Sequence, residues 1–242
     1  MKPVLVIVAV PQETALLETK LNSGARPEGN IFDVREGFIG TQRVVLCVGG
    51  IGKANAAIAV TAMIERCHPR LVINTGCAGA YMGSGLAVGD LAVATTEILG
   101  DEGVITSAGW LDFRGIGLPL LVRGGKRYYN EIPLAGHAID RAVDLADRLG
   151  SPLAVGPFVT VSTCSGTVQR GAELGQRFTA VAENMEGGAV ALACLRYGID
   201  CLEIRVISNR VEERDMGGWD IPLAVGAAQR FVLKYLEEME LS

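Results

Sequence analysis

PVLVIVAVPQETALLETK, residues 3–20, decides how the rest of the chain is read. Its first eight residues are apolar without alternation, then stop at Pro11-Gln12-Glu13 with no convincing signal-cleavage site, so a buried first strand over 4–10 is a better reading than a secretory h-region. An amphipathic stretch follows at about 12–21. A strand apolar on both faces that feeds directly into a helix is the first half of a unit in which helices cover a sheet on both sides.

The same alternation continues outward from that stretch. Short β-branched runs stand at RVVLCV (43–48), RLVINT (70–75), GDLAVATT (89–96), AVGPFVTVST (154–163) and CLEIRVIS (201–208). Ala-rich or amphipathic stretches at about 52–66, 135–149, 186–197 and 220–239 lie between or after them. IFDVREGFIGTQRVVLCV (31–48) reads as an antiparallel hairpin. The pattern predicts a three-layer α/β/α sandwich with a central mixed, largely parallel sheet, formed as one domain over residues 1–242. The least regular part is 101–134, and a loop of that length in a compact domain usually has a function. Its aromatic residues point to a ligand or subunit contact.

Composition narrows the partners. Of 242 residues, 49% are apolar, and the net charge of -5 comes without any basic cluster, which argues against nucleic acid or an anionic membrane as partner and leaves a small molecule. The six cysteines show no CxxC spacing and sit in apolar or glycine-rich surroundings, as free thiols in a reducing cytoplasm do. Neither a zinc site nor a disulfide framework is suggested.

In open α/β sheets, ligands bind beyond the carboxyl ends of strands. Glu13 follows the first strand. GGIGKANAA (49–57) follows RVVLCV, and GCAGAY (76–81) follows RLVINT; both are small-residue turns that let a ligand or another backbone approach closely. The first of them matches neither GxGxxG nor GxxxxGK[ST], which weakens any nucleotide-phosphate reading. Asn209 ends CLEIRVIS, and Arg205 is a charge inside that apolar strand that needs an anionic partner, with Glu186 or Glu183 on the neighbouring segment as natural mates. In ENMEGGAVALAC (183–194) the two acids stand at a predicted helix start, where a carboxylate can satisfy free N–H groups; Asn184 could equally be the cap.

AVPQE, GGIGKANAA, INTGCAGA, NMEGGAVALAC and RVISNR, in that order over nearly the full length, resemble the nucleoside phosphorylase/nucleosidase superfamily. Within it, TVSTCSGT (160–167), NMEGGAV, ISN followed by RD and WDI, and DEGV…GW…YYN are most similar to the futalosine hydrolases, and next to the methylthioadenosine/S-adenosylhomocysteine nucleosidases. The resemblance implies a cytoplasmic homo-oligomer without cofactor or metal that hydrolyses an N-ribosidic bond. For the futalosine hydrolases, this releases hypoxanthine in the alternative menaquinone pathway.

Site roles follow from the same resemblance. It makes Glu13 the acid that activates water, Glu186 the acceptor of ribose hydroxyls, Met185 a sugar contact and Arg205 the support of Glu186. It places Ile51, Cys77, Ala78, Gly79, Thr163 and Ser208 around the nucleoside, with Trp219 either a purine or alkyl contact or a staple for the last helix. The carboxylate of Glu186 is expected to serve as helix cap and sugar ligand at once. Asn209 stands where adenine-cleaving relatives have aspartic acid. A 6-oxopurine offers two adjacent acceptors on its O6/N7 edge, and an amide can donate to them where an ionised carboxylate cannot. Phosphorolytic members hold phosphate with arginines; here Asn74 takes one such place and Arg26 lies in no recognisable motif, so water is the expected acceptor. The carboxylate on the 5′ side of futalosine has Arg114, Arg123, Arg210 and Arg214 as candidate partners.

Overall fold

A computed structural model describes residues 2–25 and 31–239; Arg26 and its neighbours lie outside them. In chain order the elements are β1 (Val4–Val8), a 3-10 turn (Pro11–Glu13), α1 (Ala15–Lys20), β2 (Asn22–Ala25), β3 (Asp33–Ile39), β4 (Gln42–Val48), α2 (Lys53–Cys67), β5 (Leu71–Tyr81), β6 (Leu91–Leu99), β7 (Val104–Thr106) and β8 (Gly109–Leu111). Then come β9 (Leu121–Arg123), β10 (Lys126–Tyr128), β11 (Glu131–Pro133), α3 (Gly136–Leu149), β12 (Leu153–Thr160), α4 (Val168–Phe178), β13 (Ala182–Asn184), α5 (Gly187–Tyr197), β14 (Asp200–Val211) and α6 (Ile221–Glu238).

One sheet runs in the order β11-β6-β12-β13-β5-β1-β4-β3-β2, and β14 pairs with both β5 and β6, which closes half of the sheet on itself. β1 is parallel to β4 and β5, and β14 is parallel to β5, whereas β2, β3 and β4 form an antiparallel meander that includes the predicted hairpin. The opening stretch shows why the sheet is covered twice. Val4 and Val6 join a core with α3 and α6 through Ile139, Leu145, Phe231 and Leu236; Leu5 and Ile7 face the other way, onto Val60 and Met63 of α2 and Val190 and Cys194 of α5. Alternate side chains of one strand thus anchor opposite helix layers. Among the described residues no helix is long and apolar enough to cross a membrane.

The structure adds elements to the predicted list, α4 and the strands of the 101–134 segment among them. α4 lies outside the helical stretches marked in the sequence and contains Gly171 and Gly175, residues of low helix propensity. Their missing side chains let the helix lie against other groups: a Cβ on Gly171 would meet Val211 at 2.7 Å, and one on Gly175 would meet Tyr81 at 3.0 Å. The 101–134 segment is a pair of two-stranded ribbons, β7–β8 and β9–β10, followed by β11. Buried Asn130 organises it, donating to the carbonyls of Leu99 and Glu102 and accepting from the N–H of Phe113, each at 2.8 Å.

Candidate active site

The site forms where the ends of β1, β4, β5 and β14 meet the start of α5. Glu13 is 4% exposed. Its Oε2 accepts the N–H groups of Ala9 (2.9 Å) and Val10 (3.1 Å), so half of this carboxylate does the structural work expected of an acid at a helical turn. Its Oε1 turns toward the end of β5, where the N–H of Cys77 reaches it at 3.3 Å. Gly76 makes that possible. It holds φ at +152°, and a Cβ there would sit 2.3 Å from Glu13 Oε1 and 3.0 Å from Arg205 Nη1.

Glu186 comes in from the opposite side. It stands at the N-cap position of α5, but its side chain does not cap the helix. Asn184 does, accepting the N–H groups of Glu186 (2.9 Å) and Gly187 (2.7 Å), while the hydroxyl of Thr160 accepts the N–H of Gly188 at 2.6 Å. The expectation of one carboxylate as cap and ligand is therefore corrected. A better-placed amide takes the cap, which frees Glu186 to accept the N–H of Gly52 at 2.9 Å, in the glycine turn beside Ile51, and to face Arg205 at 3.6 Å. Glu183 is structural, bound by Tyr81 and by Ser165, and is no partner of Arg205.

Arg205, 2% exposed, ties the parts together. Its Nε donates to Glu203 at 2.9 Å and its Nη1 to the carbonyl of Cys77 at 3.2 Å, while Nη2 points at Glu186. The surrounding acids hold the guanidinium above its ordinary pKa, chiefly Glu203, then Glu186 and Glu13, against the cost of burial. Burial pushes the Glu13 carboxyl up from its ordinary 4.5, and Arg205 and the two backbone N–H groups hold that rise back. Burial and the charge of Glu13 raise the Cys77 thiol, which makes it a poor nucleophile.

The other end of the site lies further along the same pair of strands. β14 pairs with β5 in register from Arg205 opposite Gly76 to Ile207 opposite Ala78, then slips by one, so that Asn209 faces Gly79 and Ser208 is a bulge. The extra residue re-aims the side chains beyond it, as bulges beside active sites do. Asn209 Oδ1 accepts the Ser208 hydroxyl at 2.8 Å, and its Nδ2 donates to the Arg210 carbonyl at 3.0 Å, which leaves a second amide hydrogen. A Cβ on Gly79 would lie 3.2 Å from that Nδ2, so the glycine gives the amide room. Three residues of extended chain separate Gly76 from Gly79, roughly 10 Å.

The remaining predicted residues fall into place unevenly. Met185 precedes Glu186 and is half-buried; Ile51 and Thr163 are exposed. Trp219 is half-buried next to Asp220, whose N–H donates to the Ser208 carbonyl and whose side chain caps α6. The arginine candidates separate. Arg123 packs on Leu195 and Gly198 at the far end of α5, and Arg114 stacks on Tyr129. Arg214 stacks on Trp219 at 5.2 Å, with its Cβ 3.9 Å from the Cβ position of Gly166. Sequence reasoning missed Gly76, Glu97 and Glu203. The two acids carried a legible signal, a charge inside an apolar strand, the same one that singled out Arg205.

Comparison with known proteins gives this geometry a family. The model of the phosphorylase superfamily matches residues 3–237, and the chain belongs to that superfamily. Within it, the chain is an N-glycosyl hydrolase by class. It is 36% identical over 189 residues to futalosine hydrolase of Thermus thermophilus, covering 78% of this chain and 79% of the relative. It is 35% identical over 231 residues to futalosine hydrolase of Acidothermus cellulolyticus, covering 91% and 85%. A 5′-methylthioadenosine/S-adenosylhomocysteine nucleosidase of Exiguobacterium is 30% identical, covering 86% and 85%. The corresponding nucleosidase of Neisseria meningitidis, solved with methylthio-immucillin-A, superposes with a TM-score of 0.85 at 26% identity, covering 98% of this chain and all of the other.

Proposed function

We propose that the chain hydrolyses the N-ribosidic bond of futalosine and releases hypoxanthine. The observation that carries this reading is the separation of two chemistries along β5: carboxylates and Arg205 gathered at Gly76, and an amide with a spare hydrogen at Gly79. An N-riboside laid along the strand ends would put its sugar at the first and its purine at the second. Bond cleavage then moves positive charge onto the ribose ring and negative charge onto the base.

Each residue has a task in that scheme. Oε1 of Glu13 takes a proton from water as the water attacks the anomeric carbon, and Oε2, tied to Ala9 and Val10, keeps the carboxylate from swinging. Glu186 accepts the ribose hydroxyls, held by Gly52 and Arg205. Asn209 donates to O6 or N7 and stabilises the leaving hypoxanthine. Ser208, accepted by the oxygen side of that amide, turns its NH₂ side toward the base. Arg214 on Trp219 is the cation we assign to the carboxylate at the 5′ side. Water rather than phosphate is the acceptor in this reading, because Asn74 is neutral and buried within β5. The chain works as a cytoplasmic homo-oligomer in the same reading. Exposed Ile51 and Ile58, at the start of and along α2, supply apolar surface for a second copy.

A second reading has its own support. Oδ1 and Nδ2 of Asn209 could meet the donor and acceptor of adenine, and the Exiguobacterium relative is named for adenine nucleosides. Measuring kcat/KM for base release from futalosine, aminofutalosine, methylthioadenosine and S-adenosylhomocysteine decides between the two. Futalosine is expected to be the best substrate, and faster cleavage of methylthioadenosine overturns that assignment. A nucleoside-binding protein without catalysis would bind all four and release no base.

A further inference from the structure

Two acids with no exposure at all, Glu97 in β6 and Glu203 in β14, have no task in that reaction. Glu97 Oε2 accepts the Thr160 hydroxyl at 2.5 Å, and its Oε1 accepts Nδ2 of Asn184 at 2.7 Å. Glu203 Oε1 accepts Nε of Arg205 at 2.9 Å, while its Oε2 has no donor among the described residues. The two carboxyls meet under the first turn of α5. A Cβ on Gly187 would lie 2.2 Å from Glu97 Oε1 and 2.2 Å from Glu203 Oε2, so the glycine is there to let the pair close.

Two carboxylates facing one another in a dry interior do not both stay ionised. Arg205 lies on Glu203, so the negative charge belongs there. Glu97 has a hydroxyl and an amide beside it but no cation, and burial and the charge of Glu203 raise its pKa well above the ordinary value. A proton on Glu97 supplies the donor that Glu203 Oε2 lacks. The other titratable neighbours on α5 and β14 are Cys194 and Cys201; the contact with Cys194, then burial, raise the Cys201 thiol, leaving Glu13, Glu186 and Arg205 as the nearby charges.

We propose that Glu97 and Glu203 share one proton and act as positioning residues that aim Glu186. Glu97 acts through Asn184 and Thr160, the groups that cap α5 at and just after Glu186. Glu203 acts through Arg205, which faces the Glu186 carboxylate. The pair thereby links both supports of one side chain. The inference rests on the reading of Glu186 as the ribose ligand.

Three variants and three readouts test it. Infrared spectra of the unmodified protein near neutral pH should show the carbonyl stretch of a protonated carboxyl group, and Glu97→Gln should abolish it. Glu97→Gln is neutral and can donate to Glu203 in place of the shared proton, but its NH₂ cannot also accept Nδ2 of Asn184, so it should lose less in KM and kcat than Glu97→Leu does. Glu97→Leu and Glu203→Gln should raise KM for the nucleoside by about tenfold or more, the loss expected for a misplaced charged hydrogen bond. Their affinity for the free purine base should not change. The proposal is overturned if the band is absent, if Glu97→Gln loses as much as Glu97→Leu, or if base and nucleoside affinity fall together. Should Glu203→Gln fail to fold, the infrared band and the Glu97 pair of variants still decide. Unmodified protein that cleaves no N-riboside would refute the functional reading, and the ribose-positioning role with it, whereas the band reports on the shared proton alone.

Discussion

Gly76→Ala tests the site at its tightest point. The native φ of +152° is one that L side chains rarely adopt, and the new Cβ would lie 2.3 Å from Glu13 Oε1 and 3.0 Å from Arg205 Nη1. Strain of this kind costs about 1–3 kcal/mol, and each kcal/mol lowers Tm by roughly 2–4 °C in a chain of this size, which gives a fall of roughly 2–12 °C. The effect on rate should be larger. The backbone cannot retreat from a paired strand, so Glu13 must move, and a displacement on the order of 1 Å at a reacting group costs about 100-fold in kcat. The assay is steady-state base release with thermal unfolding measured alongside. Gly83→Ala is the control: it has φ of +93° with nothing within 4 Å, so it should lower Tm without touching kcat. Gly76→Ala with unchanged kcat would show that the Glu13 position is not critical and would refute the reasoning.

The same geometry fixes four further outcomes. Glu13→Gln should bind nucleoside normally and turn over about 100-fold more slowly or worse, as expected for loss of a general base. Because burial raises the Glu13 pKa and the protonated acid cannot accept a proton, kcat/KM should fall as pH drops, with an acid limb above 4.5, absent from the residual activity of the variant. Asn209→Asp should shift the ratio of kcat/KM toward 6-aminopurine nucleosides, measured as adenine against hypoxanthine release, and an unchanged ratio would remove Asn209 from base selection. Glu97→Gln should flatten the pH dependence of stability in urea unfolding. Below 4.5 Glu97 is protonated in both states; above it the folded state must take up a proton, losing about 1.4 kcal/mol per pH unit until the raised pKa is reached, and glutamine has no such cost.

Residues 3–20 already carried the double covering of the sheet, since Val4 and Val6 against Leu5 and Ile7 face different helix layers. The features that stayed hidden did so for physical causes. α4 was concealed because Gly171 and Gly175 serve close packing, which a propensity reading counts as a break. Glu183, Asn184 and Glu186 were interchangeable as caps in the sequence, because all three can accept N–H groups; only the turn geometry assigns the cap to Asn184 and leaves Glu186 free. The bulge at Ser208 left no mark, because register slips are set by partner strands far away in the chain. Glu97 and Glu203 lie far apart in sequence, and nothing local shows that their strands meet the same helix start.

A crystal structure of Glu13→Gln with futalosine bound tests the division of sugar and base between Gly76 and Gly79 most directly. The ribose hydroxyls should lie on Glu186, a water or the 13 side chain should face the anomeric carbon, and Asn209 Nδ2 should lie on O6 or N7 of hypoxanthine. A purine lodged between residues 13 and 186, with the sugar toward Asn209, would contradict it.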